Sequence, residues 1–191
     1  IGNVNNLKKL KYLDLSWLHN SDSLDLEFNN LKNLKELAIE YVNPKSFDTD
    51  FTNLRELEAI RVNQKFSESE LSKFEAIPNL KRAEFTIEHN IIPSNWFENS
   101  HVEKLKIDYK VKNKGVLNPN LYTCTKIDSL TLSGKFAAID DDIGKLNNLT
   151  FLKIVLADIK TLPTGIGWFK NLKKLILHSL FLEELPESIS E

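Results

Sequence analysis

The sequence predicts an α/β solenoid, with a parallel β-sheet on its concave face and short helices or turns on its convex face. Two observations lead to this fold class: a mixed spacing of apolar residues, and the recurrence of that spacing along the chain. In residues 162–180, LPTGIGWFKNLKKLILHSL, apolar positions lie three or four apart as far as Leu175, and two apart from there to Leu177. A helix or turn has the first spacing and a strand has the second. Each unit therefore combines a return segment with one short strand.

Eight copies of an L-x-x-L-x-L core recur at intervals of 20–26 residues. The core triplets are Leu10-Leu13-Leu15, Leu34-Leu37-Ile39, Leu54-Leu57-Ala59, Leu80-Ala83-Phe85, Val102-Leu105-Ile107, Ile127-Leu130-Leu132, Leu149-Leu152-Ile154 and Leu172-Leu175-Leu177. Alternate residues of each strand point to the core, and those between them point to the open side of the sheet. A single unit cannot bury its own leucines, so we expect the units to stack with their strands paired in parallel.

The later units, which contain IDDDIGKLNNL and LPTGIGWFKNL before the strand, resemble the leucine-rich repeat family. The resemblance is strongest to its 23-residue LPxxIGxLxNLxxLxL subtype and extends over essentially the whole chain. It implies a right-handed, curved solenoid, a bacterial source and protein binding on the concave face. We interpret residues 1–191 as a single domain of about eight repeats, and expect it to be a fragment that lacks end caps.

Smaller features of the units predict local structure. The middle of the chain is expected to be irregular, with outward loops at 63–75 and 109–120 and a longer convex helix in LSKFEAI from Leu71. An asparagine recurs before the core leucine, at Asn33, Asn53, Asn79, Asn148 and Asn171. Because it recurs in phase with the repeat, we interpret it as a structural turn residue, and not Asn148 as a glycosylation site.

The composition excludes several function classes. Hydrophobic residues make up 41% and charged residues 27% of the chain, and the net charge is −2. Nucleic-acid binding usually needs a clearly basic surface, which this balance does not indicate. No apolar run reaches the ~18 residues of a membrane span, so membrane insertion is not expected. The oligomeric state and the location, either the bacterial cytoplasm or the cell surface and medium, are left open.

Residues that could carry chemistry are few and scattered. The chain has no glycine-rich phosphate loop, and none of its four histidines lies three or four residues from another. We expect Cys124 to be a buried apolar residue rather than a nucleophile. Asp140-Asp141-Asp142 is interpreted as the acidic start of a short helix, in preference to a calcium site. The sequence therefore predicts no catalytic residue, no metal, no cofactor and no enzyme activity.

The predicted partner-binding residues lie on the open side of the sheet in two groups. The first is an N-terminal row of aromatic, charged and apolar residues: Trp17, Tyr41, Arg61, Ile87 and Tyr109, flanked by Glu40 and Glu58. The second is a C-terminal apolar cluster: Phe151, Val155, Leu156 and Ile176. Trp, Tyr and Arg dominate protein-binding hot spots, and exposed apolar patches usually mark contacts. A basic column at Lys11, Lys35, Arg55 and Lys81 is interpreted as a solvated edge of the sheet.

Together these features predict a non-catalytic module that binds a protein or peptide on its concave face. Eight strands at ~4.8 Å and five residues at ~3.3 Å give a face of about 600 Å², which is close to one side of a standard protein interface. Two alternatives are a ligand-sensing or regulatory segment of a larger multidomain signalling protein, and a carbohydrate or surface-polymer binder that uses Trp17, Tyr41 and Tyr109.

Overall fold

In a computed structural model of the chain, eight parallel strands form one open sheet. In the order in which they pair, these strands are β1 (Tyr12–Asp14), β3 (Glu36–Glu40), β5 (Ala59–Asn63), β6 (Arg82–Ile87), β7 (Lys104–Tyr109), β8 (Ser129–Gly134), β9 (Phe151–Leu156) and β10 (Lys174–His178). Two further short strands, β2 (Asp25–Leu26) and β4 (Ser46–Phe47), pair in parallel in the first two return segments. The structure describes residues 4–18, 25–42, 46–47, 49–63, 72–87, 97, 101–110, 117–136, 138–156 and 159–190.

Short 3₁₀ turns line the return segments. They span Val4–Asn6, Phe51–Asn53, Lys73–Ala76, Pro119–Thr123, Asp141–Lys145, Thr164–Trp168 and Glu187–Ser190. At three of them the side chain before the turn, that of Asp50, Asn118 or Asp140, accepts a hydrogen bond from the N–H two residues on. This is the N-cap arrangement that short polar side chains favour.

The predicted longer helix and outward loops are only partly covered by the described residues. In LSKFEAI the structure shows a 3₁₀ turn at Lys73–Ala76, and Leu71 lies outside the described residues. The loop predicted at 109–120 is wrong at its far end, because Leu117 is buried and a 3₁₀ turn follows it. Residues 64–71 and 111–116 lie outside the described residues.

The apolar core runs continuously between the sheet and the return segments. It contains the inward residues of the strands and apolar residues of the turns, such as Ile143 and Leu146. Phe51 and Phe74 meet with ring centroids 4.9 Å apart, which carries the core through the middle units. Neighbouring units thus bury one another's leucines, as a solenoid requires.

The register of the third unit differs from the prediction by three residues. Leu37 of β3 lies opposite Ile60, and Ile60 lies opposite Ala83 of β6. The core triplet of this unit is therefore Leu57-Ile60-Val62, and Leu54-Leu57-Ala59 was wrong. With Ile60 in the middle position, the eight units are 22–25 residues apart. The strands are therefore evenly spaced through the middle of the chain, where the sequence predicted uneven repeat lengths, while much of the return segments of these units lies outside the described residues.

An amide rung joins several neighbouring units. The side-chain N–H of Asn33, Asn79, Asn148 and Asn171 donates to a backbone carbonyl of the preceding unit, at N···O distances of 2.7–2.8 Å. Asn53 does not belong to this set, because the register shift moves it out of phase. Its amide donates to the Asp50 carboxylate instead. The structural interpretation of the recurring asparagine is confirmed at four of its five positions.

Within the part of the chain that the structure describes, no helix has both the length and the hydrophobicity of a membrane span.

Candidate functional site

The open face is the solvent-facing side of the eight-stranded sheet, and its side chains form three rows across the strands. The first row contains Tyr12, Glu36, Ala59, Arg82, Lys104, Ser129, Phe151 and Lys174. The second contains Asp14, Ala38, Arg61, Glu84, Lys106, Thr131, Lys153 and Ile176. The third contains Glu40, Thr86, Asp108, Ser133, Val155 and His178. On β6 and β7 the burial alternates accordingly, with inward residues buried and row residues more exposed.

On strands β3 to β7, opposite charges on the open face pair with one another. Glu36 meets Arg82 at 3.0 Å by reaching over Ala59 of the intervening strand. Glu84 meets Lys106 at 3.4 Å on the neighbouring strand. Such exposed pairs add little stability, about 0–1 kcal/mol each. They hold the long side chains of this region in defined positions and neutralise its charge.

Small residues leave a depression between these ion pairs. Ala38 and Ala59 form its floor, and the side chains of Tyr12, Arg61 and Arg82 stand around it. Its volume is about 60 Å³. Since a water molecule occupies ~30 Å³ of liquid, the depression can hold the tip of one small side chain.

The aromatic stack, Trp17 with Tyr41, is the most prominent feature of the open side. Both residues follow the end of their strands with left-handed backbones, at φ 62° and 54°. Their rings lie 3.9 Å apart between centroids and 25° from parallel. Trp17 is 59% exposed and Tyr41 is 38% exposed. The backbone N–H of Trp17 donates to the Glu40 carbonyl at 2.8 Å, so main-chain pairing continues up to the stack.

Lys110 extends this feature from the end of β7. Its Nζ donates to the Tyr41 hydroxyl at 3.1 Å and lies 5.7 Å from the centroid of the Tyr41 ring. A cation at this distance from an aromatic face is attracted by the ring quadrupole. Sequence reasoning missed Lys110, because nothing in the linear pattern relates the fifth unit to the second.

The prediction that Ile87 and Tyr109 face solvent was wrong. Ile87 is 5% exposed and Tyr109 is 2% exposed. Each lies two residues beyond an inward residue of a strand that continues to it, so its side chain also points inward. Tyr109 packs edge-on against Phe136 at 4.7 Å between centroids. Burial raises the pKa of Tyr109 above its ordinary value of 10.0.

The charged residues of the predicted N-terminal row also take different places. Arg61 is on the open face as predicted, but in the second row, where its Nε lies 3.6 Å from Glu40. Glu58 occupies the position that was assigned to Arg55 and meets Lys81 at 3.2 Å. The basic column is therefore interrupted by a carboxylate. Of the predicted N-terminal row, the aromatic stack remains on the open side of the sheet, with Glu40 and Arg61 beside it.

The predicted C-terminal cluster is mostly brought together. Phe151, Val155 and Ile176 are partly exposed on the adjacent strands β9 and β10. Leu156 ends β9 at the register position of Tyr109, and its side chain lies outside the described residues. Sequence reasoning overlooked Lys153 and Lys174, although both alternate with the apolar residues of these two strands.

Two features that the sequence singled out for possible chemistry, Cys124 and Asp140, have structural roles. Cys124 is buried, and burial raises the pKa of its thiol to about 12. A thiol held neutral in this way is a poor nucleophile at neutral pH. Asp140 caps a 3₁₀ turn as an acidic residue should. No group of three or more potential metal ligands occurs among the residues that the structure describes.

Comparisons with known proteins place this geometry among leucine-rich repeats. A leucine-rich repeat protein of Leptospira interrogans is 20% identical, with a TM-score of 0.62 over 97% of this chain and 53% of that one. The plant peptide hormone receptor RGFR1, in complex with RGF2, is 18% identical, with a TM-score of 0.55 over 97% of this chain and 35% of that one. An internalin (InlF) from Listeria monocytogenes is 18% identical, with a TM-score of 0.44 over 90% of this chain and 62% of that one. The chain thus spans about half the length of the Leptospira protein.

A comparison with curated proteins finds no match. The model for the BspA type leucine rich repeat region matches residues 24–117 and 51–176, with six copies. Proteins of this family and fold are generally non-catalytic, and the fold is typical of protein-binding modules. The chain belongs to the BspA-type leucine-rich repeat family.

Proposed function

We propose that the chain is a non-catalytic protein-binding module that contacts its partner with the open face and is anchored there by the aromatic stack. In the same proposal residues 1–191 act as one repeat domain. The plant receptor RGFR1 was solved in complex with RGF2, so this fold holds a ligand in at least one structural relative. Trp and Tyr supply large contact areas at low entropic cost and are enriched at interface hot spots.

The single observation that carries the proposal is the left-handed backbone beneath two exposed aromatic rings. A non-glycine residue with positive φ costs about 1–2 kcal/mol, and a bulky one is a rare outlier. Trp17 and Tyr41 both adopt this conformation and remain 59% and 38% exposed. Folding gains more when such rings are buried. Strained residues concentrate at functional sites, which supports a role for the stack in contact with a partner.

The surroundings of the stack suit a protein surface. Charged side chains stand near it in pairs, such as Glu40 with Arg61, and can form the polar rim of an interface. The depression over Ala38 and Ala59 can take one side chain of the same partner. A flat apolar centre with a polar rim is the usual anatomy of a protein interface.

The test is affinity capture with the chain and matched variants. A Trp17→Ala/Tyr41→Ala double variant should lose a protein that the native chain retains, while keeping its circular dichroism and melting temperature. Trp168→Ala is the control, since Trp168 is 52% exposed on a return segment. Equal retention by native and double variant would contradict the proposal. Release of the retained material by soluble glycans, with no protein recovered, would favour carbohydrate binding instead.

A further inference from the structure

The open face of strands β8 to β10 differs in charge from the rest of the sheet. Its nine side chains are Ser129, Thr131, Ser133, Phe151, Lys153, Val155, Lys174, Ile176 and His178. None of them is a carboxylate. On β1, β3, β5 and β6, by contrast, the same face carries four carboxylates and two guanidinium groups, those of Asp14, Glu36, Glu40, Glu84, Arg61 and Arg82. Strand β7, between the two regions, carries Lys104, Lys106 and Asp108, and the Asp108 carboxylate accepts a hydrogen bond from Ser133 at 2.9 Å. The sheet therefore has an excess of carboxylates on its four N-terminal strands and a basic end.

Among the described residues, the two lysines of this basic end lack the ion pairs that three other open-face cations have. Arg61, Arg82 and Lys106 each meet a glutamate. Among the described residues, neither Lys153 nor Lys174 meets a carboxylate at ion-pair distance. The Lys174 ammonium lies instead 5.8 Å from the centroid of the Phe151 ring. Their charge is therefore available to an external carboxylate.

Basic and apolar side chains alternate in two dimensions on β9 and β10. The cross-strand neighbours are Phe151 with Lys174, Lys153 with Ile176, and Val155 with His178. Along β9 the open-face order is apolar, basic, apolar, and along β10 it is basic, apolar and imidazole. Successive residues on one face of a strand are ~6.6 Å apart, and an extended partner has the same spacing between its alternate side chains.

We propose that strands β8 to β10 form a docking surface for an extended, acidic segment of a partner protein. Its side chains that face the sheet alternate between carboxylate and apolar at every second residue. A segment along β9 places an apolar residue over Phe151, a carboxylate over Lys153 and an apolar residue over Val155. The inference rests on the proposed function, because it assigns one partner chemistry to one end of the same face.

A protein segment fits this surface better than a nucleic acid does. Nucleic-acid grooves need a track of cations along successive phosphates. Here two lysines lie among three apolar side chains. A partner that offers both carboxylates and apolar side chains therefore gains contacts with all five residues. The same apolar neighbours exclude water and strengthen each ion pair that forms beside them.

The test is selection from a random dodecapeptide display library on the native chain. Enriched peptides are expected to carry Asp or Glu alternating with apolar residues. Their affinity should fall at least about tenfold on a Lys153→Glu/Lys174→Glu variant, and similarly when Gln replaces their acidic residues. It should also fall as salt rises, since the Debye length shrinks from ~10 Å at 0.1 M to ~3 Å at 1 M. Lys126→Glu/Lys170→Glu is the matched control, because it makes the same charge change on exposed lysines of the return segments.

Three results would overturn the inference. One is enrichment of peptides without an acidic bias, or peptides that bind the Lys153→Glu/Lys174→Glu variant as well as the native chain. Another is displacement of the enriched peptides by an unstructured DNA oligonucleotide at equal concentration, which would show that the surface recognises phosphate groups. The last is a set of peptides that depend only on Trp17 and Tyr41, which would leave the proposed function standing. If no peptide depends on either pair of residues, both proposals fail together.

Discussion

The same position of the repeat produces surface in the first two units and core in the fourth and fifth. Trp17 and Tyr41 stand four residues after Leu13 and Leu37, just as Ile87 and Tyr109 stand four residues after Ala83 and Leu105. The first pair has positive φ and is exposed, whereas the second pair continues its strands and is buried. One backbone torsion thus decides whether a large side chain joins the core or faces a partner.

The strand lengths follow from this difference. β1 and β3 stop at Asp14 and Glu40, before the turn to positive φ. β6 and β7 run on to Ile87 and Tyr109. In the sixth unit the same position is Gly134, at φ 104°, where an added Cβ would meet the Tyr109 carbonyl. Glycine serves there because it adopts positive φ at no steric cost.

The largest effect on stability is expected from removing the buried Tyr109 side chain. Tyr109→Ala should lower the free energy of unfolding by about 3–5 kcal/mol, because it leaves a cavity against Phe136. Tyr41→Ala, at the equivalent exposed position, should lower it by less than about 1.5 kcal/mol. Urea unfolding followed by circular dichroism measures both values. Similar losses in the two variants would mean that Tyr41 belongs to the core.

A smaller loss is expected from Gly134→Ala, about 1–3 kcal/mol in the same unfolding experiment. The added methyl group would collide with the Tyr109 carbonyl, and positive φ strains an alanine. Ser129→Ala, on the open face of the same strand, is the control and should change stability by no more than about 0.5 kcal/mol. Native stability in Gly134→Ala would show that β8 can straighten as β6 and β7 do.

Two substitutions of Tyr41 separate backbone strain from ring contact. Asn tolerates the left-handed conformation, so the strain relieved in Tyr41→Asn should offset the lost stacking to within about 1 kcal/mol. Tyr41→Val should be less stable than Tyr41→Asn by about 1 kcal/mol, since a β-branched residue resists positive φ. Thermal melts give the order. A valine variant as stable as the asparagine variant would mean that the position can return to strand geometry. Both variants should lose captured partner.

The smallest effect concerns the turn that precedes Trp17. Ser16, whose N–H donates to the Asp14 carboxylate at 2.8 Å, lowers the pKa of Asp14 below its ordinary value of 3.8, and the Tyr12 hydroxyl and the Arg61 guanidinium act in the same direction. Because the folded pKa is lowered, this stabilisation is complete above about pH 4 and is lost as pH falls through the folded pKa. In a chain whose only tryptophan is Trp17, with Trp96→Phe and Trp168→Phe, fluorescence should change below pH 3.8. Asp14→Asn should remove that step, and an unchanged titration would contradict the assignment.

Most of the fold was predictable, because eight phased copies of one apolar pattern leave few other architectures. The third unit failed because Leu57 satisfies two overlapping triplets, Leu54-Leu57-Ala59 and Leu57-Ile60-Val62. Requiring even spacing between the units would have selected the second triplet. The burial of Ile87 and Tyr109 was also predictable, since both share the parity of the inward residues of their strands.

The exposed side of the site was harder to predict. Trp and Tyr are not residues that indicate positive φ, so no local pattern identifies the left-handed turns at Trp17 and Tyr41. The contact from Lys110 to Tyr41 joins residues 69 positions apart and depends on the stacking of several units. The depression depends on Ala38 and Ala59 being adjacent across two strands, which only the correct register reveals.

The amide rungs are unevenly distributed along the solenoid. The second, fourth, seventh and eighth units each donate one side-chain amide hydrogen bond to the unit before them, from Asn33, Asn79, Asn148 and Asn171 respectively. The third, fifth and sixth units carry Glu56, His101 and Lys126 at the same position. The joints before the fifth and sixth units, which have no rung, pair six strand residues each, whereas the joint between the first two units, which has a rung, pairs only three. The Asn33 amide therefore supplements the shortest strand pairing of the sheet, in the two units that carry the aromatic stack.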